Sequence, residues 1–382
     1  MTTALSAAAT GRGTPPPIAY HDRFVDELHE DIGRLIGGPA ETAETIEARL
    51  RELARRNSPA TAAYWRSHAD GLGVPDSAYK GDPPYLFADE EPARIFRTSM
   101  TTGGTPGRVP YSARGLDLMN ASILANAGRH IMHGLDEPAV LRLVPAESAA
   151  PAMIMAYGME LIARRFGHPG LSACVLTAAG IDHALLGRLL GAAVAERRPV
   201  VLIGGTSVFV NLADALRREG TAWALPPGSR LIDAGGHKRG RQVSVAEIRA
   251  LAGDVFGIEP GNHRNLFGMT ELASQLYDGG DAAVGPAGER PKGNEAFVRA
   301  QVRDTTDLSL IARGTGLLEV VDLCIIDRPC AVLTGDWGVA APGGTAIVGR
   351  VANGRPRGCS LALDQPTERV TDQVTGAGGG HG

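Results

Sequence analysis

Along the middle of the chain, short apolar runs alternate with stretches of helical period. AVLRLVP (139–145), LSACVLT (171–177), PVVLIGG (199–205) and SRLIDAGG (229–236) read as strands. Between and after them, Ala149 to Phe166, Ile181 to Arg197, Phe209 to Glu219 and Val245 to Phe256 read as helices. Strands that are apolar on both faces, separated by helices, predict βα units and a largely parallel sheet. Further upstream, Ser112 is placed to cap a helix running to about His133, with Leu116, Met119, Ile123, Ala127 and Ile131 on its buried side. Two helices are expected near the N-terminus. The second spans Glu41 to Asn57, with Ile46, Leu50 and Leu53 on one face. A third should begin after Ser58-Pro59, with Tyr64 and Trp65 as packing anchors.

Past Gly279 the pattern changes. A Gly/Pro-rich connection leads into FVRAQVRD, GLLEVVDL, CAVLTGDWG and GTAIVGR, which are β-type runs without a convincing helix. The expected class is α/β, with largely parallel helix-flanked sheets and a small β-rich C-terminal subdomain that is antiparallel or barrel-like. The expected boundaries are a loose N-terminus (1–17), an α/β core (18–280), the β-rich part (281–364) and a polar tail (365–382).

Composition removes several classes. The chain of 382 residues has a formal charge of -4 and a pI of about 6.2, without the basic surplus of a nucleic-acid binder. Four cysteines without a CxxC pair argue against a disulfide framework or zinc ribbon and fit a reducing cytoplasm. Neither a secretory signal nor a window of roughly 18 apolar residues is evident, so no membrane span is expected.

The stretch richest in candidate chemistry is TSMTTGGTPGR (98–108), with five hydroxyl residues and three glycines in eleven. An apolar-containing run precedes it and a helix follows Tyr111-Ser112. Strand, Gly/Thr/Ser loop and helix suit a phosphate, because glycines let backbone N–H groups approach anionic oxygens. Walker A spacing is absent. Three later stretches also close predicted strands: DAGGHKRGR (233–241), NLFGMTE (265–271) and LTGD (333–336), with Gly349-Arg350 soon after. Each alone also fits an ordinary turn or helix cap. In a doubly wound sheet they would converge outside the carboxyl ends of the strands. VVLIGGTS invites comparison with a dinucleotide site, but G-x-G-x-x-G is missing.

In this order the four motifs resemble the adenylate-forming superfamily of acyl-CoA synthetases, luciferases and peptide-synthetase adenylation domains. AGGHKRG and the ending GRVANGRPRGCSL are similar to its acyl-protein synthetase (LuxE-type) branch, which includes enzymes of phenazine antibiotic biosynthesis. The resemblance covers roughly residues 90 to 363. It implies a ligase that uses ATP and Mg²⁺ to turn a carboxylic acid, aromatic or apolar, into an acyl adenylate. The acyl group then passes to a thiol: coenzyme A, a carrier protein or partner enzyme, or the chain's own Cys359. A homodimer is compatible with it. Alternatives on the same fold are an acyltransferase without adenylation and a non-catalytic nucleotide-binding subunit.

By the same resemblance, Thr98, Ser99, Thr101, Thr102, Gly103, Gly104 and Thr105 contact the β- and γ-phosphates, with Arg108 where the family usually has Lys. Gly235 and Gly236 lie against adenine. Phe267 and Gly268 belong to the aromatic-Gly-x-Thr-Glu motif, Phe267 replacing the usual Tyr. Thr270 approaches the α-phosphate, Glu271 holds Mg²⁺, Asp336 accepts from the ribose and Arg350 sits nearby. The family's C-terminal domain, which bears a catalytic lysine, is not expected within these 382 residues, and Lys238 is the candidate substitute. Met153, Met155, Tyr157 and Met159 are candidates for the acyl-pocket wall or for plain core packing.

Overall fold

A computed structural model describes residues 16–58, 71–81, 84–98, 106–235, 243–279 and 288–350, with Arg350 described by its backbone. The helix expected after Ser58 and the anchors Tyr64 and Trp65 lie outside these residues. Helices α1 (Arg23–Gly37) and α2 (Ala43–Asn57) precede the two-residue strand β1 (Val74–Pro75). On α2, Ile46, Leu50 and Leu53 are buried, as the helical period requires.

Strands β2 (Arg94–Arg97) and β3 (Arg108–Tyr111) form an antiparallel hairpin, pairing Arg94 with Tyr111 and Arg97 with Arg108. This corrects the strand–loop–helix expectation: a second strand intervenes between the Gly/Thr/Ser loop and the helix. Helix α3 (Ala113–His130) then starts where Ser112 predicts, its Oγ accepting from Gly115 N at 3.0 Å.

The next elements are β4 (Ala139–Pro145), α4 (Ile154–Phe166), β5 (Ala173–Thr177), β6 (Gly180–Ile181) and α5 (His183–Ala195). They continue with β7 (Val200–Gly205), α6 (Thr206–Arg218), β8 (Arg230–Ala234), α7 (Val245–Phe256), β9 (His263–Phe267) and β10 (Leu276–Tyr277). Two helix starts differ from expectation. Helix α4 begins at Ile154 rather than Ala149, because the carbonyls before it serve the hairpin: Arg94 donates to Pro151 O and Arg97 N to Ala152 O. Helix α5 begins after Asp182, which caps Leu185 N, while Gly180–Ile181 pairs with β5.

These strands form a seven-stranded sheet in the order β10-β9-β8-β7-β4-β5-β6. Its five central strands are parallel and its edges antiparallel. The period of two divides the apolar runs between two cores. Val201, Ile203 and Ile232 face one core, which also takes in α1 to α4. Leu202 and Leu231 face the other, covered by α5 to α7.

The remaining strands are β11 (Val298–Arg303), β12 (Leu310–Ile311), β13 (Gly314–Asp322), β14 (Ala331–Ala341) and β15 (Gly344–Arg350). They build an open sheet, β1-β14-β13-β11-β12, with β15 also paired to β14. All its pairings are antiparallel except β1 with β14, so a strand from residues 74–75 completes it. Its Val298, Leu318 and Val320 share the core of α1 to α4.

Candidate active site

At the loop end of the hairpin, Thr98 and Gly107 are clasped together. Thr98 N donates to Gly107 O at 3.0 Å, and Gly107 N donates to Thr98 Oγ1 at 2.8 Å. A Cβ on Gly107 would stand 2.8 Å from Tyr79 O, so only glycine fits this close approach. The residues between, Ser99, Thr101, Thr102, Gly103, Gly104 and Thr105, lie outside the described residues. Arg108 is exposed on β3 beside Arg97 in register.

The second and third motifs meet at neighbouring strand ends. β8 and β9 pair Asp233 with Asn265 and Ala234 with Leu266, so Gly235, just past β8, comes level with Phe267, which ends β9 and pairs with Leu276 of β10. Gly235 turns with φ +92°, a backbone state that glycine adopts at little cost. Gly236 and Lys238 lie outside the described residues. Past Phe267 and the exposed Gly268, Thr270 is 2% exposed and Glu271 8%.

Asp336 departs from the expected strand-end turn. It lies inside the eleven-residue β14, where β14's edge passes from β1 to β15. It is 7% exposed, its N–H donates to Thr334 Oγ1 at 3.1 Å, and its register partner on β15 is Arg350. The two residues are thus brought together by a ladder rather than by a loop. Cys359 lies outside the described residues; Cys174, Cys324 and Cys330 are free thiols, the latter two buried.

One buried group that sequence reasoning missed ties the hairpin to the Thr-Glu motif. Arg328 donates to Asp327 Oδ1 at 2.7 Å, to Tyr111 Oη at 2.6 Å and, more weakly, to Glu271 O at 3.3 Å. Its guanidinium lies 4.1 Å from the Tyr111 ring centroid. Tyr111 Oη donates in turn to Leu272 O at 2.9 Å. Asp327 accepts from Ser112 N, which fixes the start of α3. Burial opposes the Arg328 charge, but Tyr111 and Asp327 outweigh it and raise the pKa. The signal was the pair Asp327-Arg328 set inside the apolar run CIIDRPCAVL.

A second buried network underlies the carboxyl edge. Asp233 Oδ2 accepts from Thr206 Oγ1 at 2.6 Å and from Asn265 Nδ2 at 3.0 Å, while Oδ1 lies 2.7 Å from His263 Nε2. Burial pushes the Asp233 carboxyl up, yet these partners hold it below its ordinary value. Lys292 donates to Asn265 Oδ1, Asn265 O and Asp278 Oδ1 at 2.6–2.7 Å. The Lys292 backbone also exchanges hydrogen bonds with Thr345 on β15, linking the two sheets.

The candidate residues fit Mg²⁺ in one limited way. Among the described residues no group of three or more His, Cys, Asp or Glu side chains could cage a metal. Glu271 offers a single carboxylate at a strand end, which suits an ion that takes its other oxygens from phosphate and water. Of the acyl-wall candidates, Met159 is buried in the core. Met155 and Tyr157 pack against it, and Tyr157 Oη donates to Asn120 Oδ1 at 2.8 Å.

No protein-family model and no curated protein matches this chain. Solved structures do. A 2-hydroxyisobutyryl-CoA ligase in an open conformation, in complex with 2-HIB-AMP and CoA, aligns over 92% of this chain and 80% of its own. The TM-score is 0.52 and the identity 15%. The chain has the fold of an adenylate-forming enzyme. A long-chain-fatty-acid–CoA ligase from Archaeoglobus fulgidus aligns at TM-score 0.48 and 15% identity, over 69% of this chain and 52% of its own. The N-terminal subdomain of Klebsiella oxytoca NpsA, in complex with 3-hydroxybenzoyl-AMSN, aligns at 0.42 and 17%, over 71% and 67%. This chain therefore spans about half the length of the long-chain ligase. Among the described residues, no helix is long and apolar enough to cross a membrane.

Proposed function

We propose that this chain activates a carboxylic acid as an acyl adenylate, at the expense of ATP, and passes the acyl group to a thiol. The observation supporting it is that Thr270 and Glu271 follow the carboxyl end of β9, the strand whose parallel neighbour β8 ends just before Gly235. Asp336, paired in register with Arg350, supplies a nearly buried carboxylate on the second sheet. In a parallel sheet the strand ends are where ligands bind.

In this reading Thr98 to Thr105, with Arg108, wrap the β- and γ-phosphates, and Gly235 and Gly236 pass the adenine face. Phe267 and Gly268 shape that wall, and Asp336 accepts from the ribose hydroxyls near Arg350. A carboxylate oxygen of the acid attacks the α-phosphorus, the bond from that phosphorus to the bridging oxygen breaks, and pyrophosphate leaves. Thr270 holds the α-phosphate in line, and Lys238 offsets its growing charge. Glu271 is the residue that would hold Mg²⁺, whose positive charge offsets that of the triphosphate. A thiolate then attacks the acyl carbon and AMP leaves. The thiol belongs to coenzyme A, to a carrier protein or to Cys359, where Arg355 and Arg357 favour the thiolate. The acid is aromatic or apolar and the setting is secondary metabolism, of the LuxE-type and phenazine kind.

The test is ATP–pyrophosphate exchange over a panel of aliphatic and aromatic acids. Exchange with at least one acid, lost in Glu271→Gln, is expected. ATP binding without exchange for any acid overturns the reading in favour of a nucleotide-binding subunit.

A further inference from the structure

The amino ends of β8 and β9, on the side of the sheet away from the candidate active site, border a cavity of about 330 Å³. That volume lies at the lower end of the range for small-molecule pockets. Its lining is strongly basic, including Arg129, His130, His133, Arg230 and Arg264. β8 and β9 pair Ile232 with Arg264, and side chains alternate along a strand, so Arg230 and Arg264 project from the same face.

The charges at this cavity do not cancel. Glu295 is taken up by Arg129 and His130, each at 2.7 Å. Asp278, the one carboxylate among the lining residues, is paired with Lys292 at 2.6 Å and lies 3.4 Å from Arg290. Among the described residues Arg230 donates only to the backbone carbonyls of Ile131 and His133, past the end of α3. Arg264 donates to the carbonyls of Gly261 and His263. Among the described residues neither guanidinium has a carboxylate partner. Both are nonetheless anchored, so their remaining N–H groups are held rather than free to swing into bulk water. Burial and the neighbouring Arg264 charge both press the Arg230 pKa down, the mark of a cation that lacks its counterion.

We propose that this cavity binds a phosphate dianion, free or as the terminal group of a small phosphate monoester, between Arg230 and Arg264. Guanidinium forks match the oxygens of phosphate in pairs, and a dianion cancels two positive charges that otherwise repel. The site is separate from the proposed nucleotide site and does not depend on it.

The experiment is equilibrium dialysis of the full chain with radiolabelled inorganic phosphate, and in a second arm with glycerol 3-phosphate. The variants are Arg264→Gln and Arg230→Lys, and ATP binding is measured in parallel. Among the described residues the Arg264 side chain donates only to the carbonyls of Gly261 and His263, so Arg264→Gln is the variant expected to fold unchanged. Saturable binding of at least one probe, weakened about tenfold or more in Arg264→Gln with ATP binding unaltered, is expected for loss of a charge-assisted pair. Tighter binding of glycerol 3-phosphate identifies a monoester, and equal or weaker binding identifies free phosphate. Neither probe binding the unsubstituted chain at millimolar concentration, or equal binding by Arg264→Gln, overturns the proposal. If ATP binding falls with phosphate binding in that variant, the anion sits at the nucleotide site and the proposal is also overturned.

Discussion

The two sheets contribute to the candidate site in opposite ways. The parallel sheet offers strand ends: Gly235 follows the last residue of β8 and comes level with Phe267, the last residue of β9. The antiparallel sheet offers the interior of a strand, where Asp336 faces Arg350 across a ladder and is nearly buried. A loop residue can be displaced without unpairing the sheet, whereas Asp336 is held within a strand by pairing to β15, beside a register shift in its pairing with β13. On the proposed reading, the first sheet carries the groups that act on the reacting phosphate and the second carries the groups that locate the nucleotide.

The most disruptive way to break this division is Arg328→Ala, which cuts the tie between the hairpin and the carbonyl of Glu271. It leaves Asp327 buried with its charge uncompensated, and a loss of about 3–5 kcal/mol is expected in urea unfolding. Glu271→Gln should leave stability nearly unchanged while lowering exchange about 100-fold, a size typical of removing a group aimed at developing charge. A similar stability loss instead would make Glu271 a packing residue. Asp336→Asn should act more gently, raising KM for ATP about tenfold with little change in kcat, because a locating contact is made equally in ground and transition states. A fall in kcat alone would reverse the roles given to the two sheets.

The smallest effect concerns the network under the carboxyl edge. Thr206→Val removes one donor from Asp233 and should cost about 1–3 kcal/mol. The sign with pH follows from the depressed Asp233 carboxyl. Its stabilisation is fully present above the unfolded value near 3.8 and is lost as pH falls through the lower folded value. Acid unfolding of Thr206→Val should therefore begin at higher pH than in the unsubstituted chain. Coincident acid transitions would remove Asp233 from the account.

Much of the frame was legible in sequence. Helix α7 runs over Val245–Phe256 and β4 over Ala139–Pro145 as the apolar period predicts. The misses share a cause. Helix α4 starts late because Pro151 and Ala152 give their carbonyls to the hairpin. Asp336 reads as a turn because Thr-Gly-Asp has turn composition, while the pairing that makes it a strand comes from residues as distant as Gly316 and Gly349. Local propensity cannot weigh a partner that lies far along the chain.

By itself the sequence determined the alternation of strands and helices, the helix cap at Ser112, and the two faces of each buried strand. These depend on neighbours within a few residues and on the period of the backbone. Only the tertiary structure decided that residues 74–75 complete the second sheet and that Arg328 reaches Glu271. It alone decided that Arg230 and Arg264 share a cavity without a carboxylate partner among the described residues. Long-range register and the burial of charge depend on which surfaces meet, and that is set by packing the whole core rather than by any one segment.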